Sequence, residues 1–285
     1  MRLGLAPLFL AVCLVIAGYA AWYLPRRSPG PVSRGTPPST APSTPPSTTP
    51  STRPVPAAPA VAESPRAVTK AEYAKLCASD DVTGCERACD AGDAASCRSL
   101  GWHYDHATGR LPRDDNRATL YFGRACDGGD VQGCANLGLM YGEGRGVPRD
   151  DARAASLYDR ACRAGNAQAC TNLGVTYDYG RGVAKDEARA VVLYRAGCDG
   201  GHAGGCTNLG AMYESGDGGL TANPARAATL YERACNGGSA SGCTNLGRMY
   251  ERGAGDLPKD PARAAALFRQ GCAGGDADGC AKARR

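Results

Sequence analysis

Cysteine recurs at Cys89, Cys126, Cys162, Cys198, Cys235 and Cys272, at intervals of 37, 36, 36, 37 and 37 residues, and each is followed eight positions later by a second cysteine. A period of this size restricts a chain to stacked units, a solenoid or a propeller, because each unit is one supersecondary element whose apolar face needs its neighbours to cover it. Helix signals decide between the two. Asp150 precedes a run of good helix formers, Ala152 to Tyr158, and Pro224 and Pro261 stand just after Asn223 and Asp260, where a first helical residue belongs. In the third unit the spacing predicts a first helix over Asp150–Ala164, a turn at Gly165-Asn166 and a second helix over Ala167–Tyr179, ended by Gly180 and Gly182. The fold expected is all-α, a solenoid of about six helix hairpins over residues 67–285.

Cys162 and Cys170 lie four residues either side of Asn166, so two antiparallel helices turning there bring them face to face, and a disulfide closes the hairpin without stretching the backbone. The same spacing gives seven pairs: Cys77–Cys85, Cys89–Cys97, Cys126–Cys134, Cys162–Cys170, Cys198–Cys206, Cys235–Cys243 and Cys272–Cys280. Of 15 cysteines only Cys13 is left over. At the amino-terminal end Cys85 and Cys89 share one predicted helix, which leaves a swapped pairing among Cys77, Cys85, Cys89 and Cys97 open. Zinc sites bring cysteines two to four residues apart with further Cys or His nearby. Here His103, His106 and His202 are the only histidines, so no metal or other cofactor is expected.

Two regions of unlike composition precede the repeats. Leu3–Leu24 carries no charge over 22 residues, about 33 Å as a helix, enough to cross a bilayer; residues 1–27 therefore read as a membrane anchor, with a cleaved signal or a lipid-modified Cys13 as alternatives. Residues 28–66 form a Pro, Ser and Thr-rich linker, with 12 prolines between Ser28 and Pro65, extended rather than packed. The net charge of +5 belongs to this leader: six of the 33 basic residues and one of the 28 acidic residues lie in 1–66, leaving 27 of each beyond. A neutral repeat region lacks the footprint that phosphate backbones need, which excludes nucleic acid as a partner class. Disulfides persist in oxidising compartments and place the repeats outside the cytoplasm. Arg26, Arg27 and Arg34 favour the opposite orientation, but seven matched cysteine pairs outweigh that bias. Cleavage of the leader would instead release the repeats as a secreted protein.

The unit Ala-x-x-Leu-Tyr-x-x-Ala-Cys, Gly, Cys-x-Asn-Leu-Gly-x-x-Tyr-x-x-Gly-x-Gly-Val, seen at Ala125 to Val147 and Ala161 to Val183, resembles the Sel1-like repeat, and the added cysteine pair resembles its cysteine-rich, Hcp-like branch. The resemblance covers about residues 81–285. It implies a right-handed superhelix of α/α hairpins, each bridged by a disulfide, that holds protein or peptide partners. It also brings the label of that branch, β-lactam binding or slow β-lactamase activity.

The residues speak against catalysis. Serine β-lactamases present Ser-x-x-Lys, which is absent here; Ser156 and Ser241 have no base beside them in sequence, and His103 and His106 read as surface residues. Nitrocefin turnover separates the two readings. The best polar candidates for a partner-binding surface are Asn136, Asn172, Asn208 and Asn245, an amide row able to pair with a peptide backbone; the competing role is a tie between repeats. Tyr121, Tyr158, Tyr194, Tyr231 and Phe268 in the first helices, and Tyr104, Tyr141, Tyr177, Tyr213 and Tyr250 in the second, are expected to form the core between repeats. Gly138, Gly174, Gly210 and Gly247 in mid-helix, about 1 kcal/mol poorer than Ala each, point to close helix approach.

Overall fold

The computed structural model describes residues 69–77, 81–108 and 111–284; the anchor and linker expected over 1–66 lie outside them. Among the described residues no helix is long and apolar enough to cross a membrane. They form thirteen helices and no strand: α1 (Lys70–Cys77), α2 (Val82–Asp90), α3 (Ala94–His106), α4 (Asp115–Asp127), α5 (Val131–Glu143), α6 (Asp151–Arg163), α7 (Ala167–Tyr179), α8 (Glu187–Asp199), α9 (Ala203–Ser215), α10 (Pro224–Asn236), α11 (Ala240–Arg252), α12 (Pro261–Ala273) and α13 (Ala277–Ala283). Six hairpins, α2–α3 through α12–α13, follow one another, with α1 preceding them.

Capping sets these lengths. The first helices α4, α6, α8, α10 and α12 start at Asp114, Asp150, Asp186, Asn223 and Asp260, whose side chains each accept from the backbone N–H three residues on. The second helices α5, α7, α9 and α11 end at Gly144, Gly180, Gly216 and Gly253 in the left-handed region. Within a hairpin the turn is short and uniform, with a glycine near φ +90° such as Gly129 or Gly165. A Cβ at either position would meet nothing within 4 Å, so backbone conformation, not space, requires glycine. The alternation of 36 and 37 residues arises in the longer loop: 144–150 and 180–186 are one residue shorter than 107–114, 216–223 and 253–260.

Seven disulfides join Cys77 to Cys85, Cys89 to Cys97, Cys126 to Cys134, Cys162 to Cys170, Cys198 to Cys206, Cys235 to Cys243 and Cys272 to Cys280, with Cα atoms 4.2 to 4.6 Å apart. The bridge from Cys77 joins α1 to α2, and the other six close the hairpins.

The aromatic core follows one rule. A Cβ on Gly101, Gly138, Gly174, Gly210 or Gly247 would stand 2.7 to 2.8 Å from the ring of Phe122, Tyr158, Tyr194, Tyr231 or Phe268 respectively. Each second helix thus offers a glycine as the seat for an aromatic ring from the next first helix, and all five rings are at most 5% exposed. One expectation is corrected: in the first full unit the buried ring is Phe122, not Tyr121. The latter sits one position round the helix, half-buried, its ring stacked on that of Tyr104 at 5.7 Å.

Ties between hairpins recur as well. Arg124, Arg160 and Arg233 donate Nη2 to the carbonyls of Cys89, Cys126 and Cys198, 34 or 35 residues back. At the start of the second helices, Asp130, Asn166, His202, Ser239 and Asp276 bond Arg98, Gln132, Thr171, Thr207 and Thr244 of the preceding second helix. His202 is the odd member: its Nδ1 lies 2.9 Å from Thr171 Oγ1, and it makes no side-chain cap bond to α9. Asp276, by contrast, both caps α13 and accepts from Thr244.

His202→Asp is therefore expected to raise stability by about 1 kcal/mol, gaining the cap while keeping the bond to Thr171. Burial also holds the His202 pKa below its usual value of 6.5. The unfolded chain then binds the proton more readily, so this contribution to stability is present above pH 6.5 and lost as pH falls below it. Thermal melts at pH 7.5 and 5.5 check both points: the advantage of the variant is expected to widen at the lower pH, and equal gains at both would refute the titration.

Candidate functional site

The second helices α7, α9, α11 and α13 pack against one another in succession, as α3 does against α5, while no two successive first helices meet to the same extent. The second helices consequently line the inner side of the solenoid. Their exposed positions repeat every unit and form parallel rows along it.

The first row is the asparagines. Asn136, Asn172, Asn208 and Asn245 are all half-buried at equivalent positions. Their hydrogen bonds stay within their own hairpins: Gln132 Nε2 donates to Asn136 Oδ1 at 3.0 Å, Arg248 Nη1 donates to Asn245 Oδ1 at 3.4 Å, and Asn172 bonds the hydroxyl of Tyr158. Binding between repeats falls instead to the capping residues and arginines above. The second row, one turn on, is Trp102, Leu139, Val175, Ala211 and Arg248, graded from aromatic to cationic along the face.

The third row is acidic with one interruption: Asp105, Gly142, Asp178, Glu214 and Glu251. Tyr194 Oη donates to Asp178 Oδ2 at 3.0 Å, and Tyr231 Oη donates to Glu214 Oε2 at 2.9 Å. Burial, with the adjacent carboxylate second, pushes both phenols well above their ordinary pKa. Where the facing ring is phenylalanine the carboxylate takes a cation instead: Asp105 pairs with Arg145 opposite Phe122, and Glu251 with Lys282 at 2.7 Å opposite Phe268.

Three cavities open on this face. One of about 590 Å³ is lined by Trp102, Asp105, His106 and Asn136, one of about 200 Å³ by Gly142, Tyr158, Asn172 and Arg181, and one of about 560 Å³ by Asp178, Tyr194 and Asn208. An asparagine of the row enters each. The histidines divide: His106 is exposed and stacks on Trp102 at 4.6 Å, whereas His103, expected at the surface, is 4% exposed, with its Nδ1 2.8 Å from Thr108 Oγ1. The surface expectation fails for His103 because it is one residue from Tyr104 on the packed side of α3. Ser156 is exposed on α6, and Ser241 bonds Ser239. Among the described residues no cluster of side chains suits a metal ion.

One repeated contact was missed in the sequence. Arg117, Arg153, Arg189, Arg226 and Arg263 lie over the rings of Tyr104, Tyr141, Tyr177, Tyr213 and Tyr250 at 4.3 to 5.5 Å. An arginine three residues after the caps of α4, α6, α8, α10 and α12 was the available signal.

A family model described as Sel1 repeat matches residues 94–130, 131–166, 167–202, 203–239 and 240–276. These boundaries fall just before the second helices, so in that frame each disulfide from Cys126–Cys134 to Cys235–Cys243 joins two successive repeats. No curated protein matches the chain. Among solved structures, a Sel1 repeat protein from Oxalobacter formigenes is similar over 74% of this chain and 84% of its own, with a TM-score of 0.65 and 22% identity. A protective antigen of uropathogenic Escherichia coli displaying an SLR fold is similar over 73% of this chain, with a TM-score of 0.60 and 26% identity. The match spans about half, 49%, of that antigen's own length. Cysteine rich protein B of Helicobacter pylori matches 50% of this chain and 98% of its own, with 26% identity and a TM-score of 0.37.

Proposed function

The chain belongs to the Sel1 repeat family, and from that premise we propose that it is a non-enzymatic, extracytoplasmic scaffold holding an extended peptide segment of a protein partner along its inner face, with residues 1–27 as the membrane attachment. Sel1 repeat solenoids generally serve as protein-interaction scaffolds. The observation that carries the reading is the amide row: four half-buried asparagines at one register, of which Asn136, Asn172 and Asn245 bond within their own hairpins, and each able to offer a donor and an acceptor to a passing backbone. Seven disulfides support the oxidising compartment. For β-lactam chemistry, no serine in the described residues is hydrogen-bonded to a lysine or a histidine; Ser96 and Ser215 donate to the carboxylates of Asp93, the cap of α3, and Asp217.

The test is affinity capture on the oxidised full chain and on the Asn172→Ala/Asn208→Ala variant. Loss of the captured partner with an unchanged melting temperature is the expected result. Lower stability with unchanged capture would assign the row to packing and overturn the reading. Labelling of intact cells with a membrane-impermeant thiol reagent bears on the compartment: the repeat cysteines are expected to react after reductant, and their failure to react until the cells are lysed would overturn the extracytoplasmic placement.

A further inference from the structure

The interruption of the acidic row at Gly142 coincides with the 200 Å³ cavity at Tyr158. In the next two units the equivalent position is Asp178 or Glu214, and each accepts from the buried tyrosine of the following first helix. At Tyr158 the hydroxyl is in place but the carboxylate is not, and among the described residues no carboxylate accepts from it. A Cβ on Gly142 would find only Ala154 Cβ at 3.7 Å and Tyr158 Oη at 3.8 Å, ordinary contacts. The position is therefore not glycine for want of room, unlike Gly138 four residues before it.

A second departure from the repeat pattern faces the same cavity. Arg145 is held by Asp105 and by Glu143, at 2.7 Å from the latter. Its equivalent one unit on, Arg181, has Gly142 and Tyr179 at the corresponding positions. Arg181 lies over the Tyr179 ring at 5.1 Å and, among the described residues, forms no ion pair. Glu143 and Asp151 also line the cavity, but Arg145 and Arg149 already hold them. What converges on the space is a phenol O–H, an amide and an unpaired guanidinium.

Resting on the peptide-groove reading above, we infer that this cavity is the anchor point of the bound segment and takes a glutamate or aspartate side chain from the partner. That carboxylate accepts from Tyr158 Oη and Asn172 Nδ2 and pairs with Arg181, in place of the carboxylate that Asp178 and Glu214 supply within the chain. The neighbouring units show the geometry such a group adopts, and the volume suits one side chain.

The experiment compares two blocked peptides, acetyl-Ala-Ala-Ser-Glu-Ser-Ala-Ala-amide and its Glu→Gln counterpart, by chemical-shift titration of the oxidised full chain. The glutamate peptide is expected to bind at least about tenfold more tightly, the scale of a charge-assisted contact, with shifts centred on Tyr158 and Asn172. Gly142→Asp, which restores the carboxylate of the neighbouring units, is expected to remove that preference with the melting temperature kept or raised. Arg181→Gln is expected to reduce the preference. Equal binding of the two peptides, abolished by Asn172→Ala, would overturn the anchor and leave the groove reading standing. Failure of both to bind, or a Gly142→Asp variant that still prefers glutamate, would overturn the anchor, the groove being decided separately by partner capture. A glutamine peptide with a free carboxyl terminus is the remaining arm: tighter binding of it than of the glutamate peptide would transfer the site to a chain terminus and overturn the side-chain assignment.

Discussion

Dithiothreitol is expected to unfold the repeat region at 25 °C, with loss of its helical circular dichroism, rather than merely soften it. Each bridge closes a loop between cysteines eight residues apart, which in the loop-entropy account restricts the unfolded chain by about 2.5 kcal/mol. Seven such contributions exceed the ~5–15 kcal/mol by which a typical domain is stable at all. The remaining core is thin: the whole chain has 3 Phe, 2 Trp and 4 Met, and alanine supplies many of the buried positions. Removing one bridge, by Cys198→Ser with Cys206→Ser, is expected to lower stability by about 2 kcal/mol and to loosen its own hairpin first, since each repeat contacts only its neighbours. Helical signal and urea midpoint, followed with and without reductant, are the measurements. A reduced chain with an unmoved midpoint would show that packing alone suffices.

That dependence was legible in the sequence because cysteine spacing is a local property, as are caps: Asp150, Asn166 and Gly180 mark the ends of α6 and α7 as read from residue type. Properties set by what lies across an interface were not. Tyr121 and Phe122 are adjacent and both apolar enough for a core; which one is buried depends on the glycine seat at Gly101, 21 residues away. His103 and His106 look alike as a surface pair, yet one turn of α3 carries one inward and the other against Trp102. The amide row was readable by period alone. The exception in the acidic row at Gly142 became meaningful only once Tyr194–Asp178 and Tyr231–Glu214 had shown what that position normally bonds.

The same seats give the sharpest test of the packing, because two elementary effects there have opposite signs. By helix propensity Gly174→Ala in α7 stabilises by about 1 kcal/mol. Its Cβ, however, would stand 2.7 Å from Tyr194 Cδ1 and Cε1, and that ring is 1% exposed with its hydroxyl fixed on Asp178, so it has nowhere to move. Overpacking of this kind costs about 1–3 kcal/mol, and Gly174→Ala is expected to be destabilising on balance. Tyr194→Ala is expected to cost more, about 3–5 kcal/mol, chiefly through the cavity it opens, with the half-buried Asp178 carboxylate also losing its phenol donor. The two changes are in direct contact and will not add. With the ring gone, the nearest remaining atom to the alanine at 174 is Ala190 O at 3.4 Å, an ordinary contact, and the residue recovers its propensity advantage, so Gly174→Ala becomes stabilising in the Tyr194→Ala background. Urea midpoints for the four members of this cycle measure the reversal. An alanine at 174 that destabilises equally in both backgrounds would mean that the glycine is required by the helix backbone itself and not by the ring seated on it.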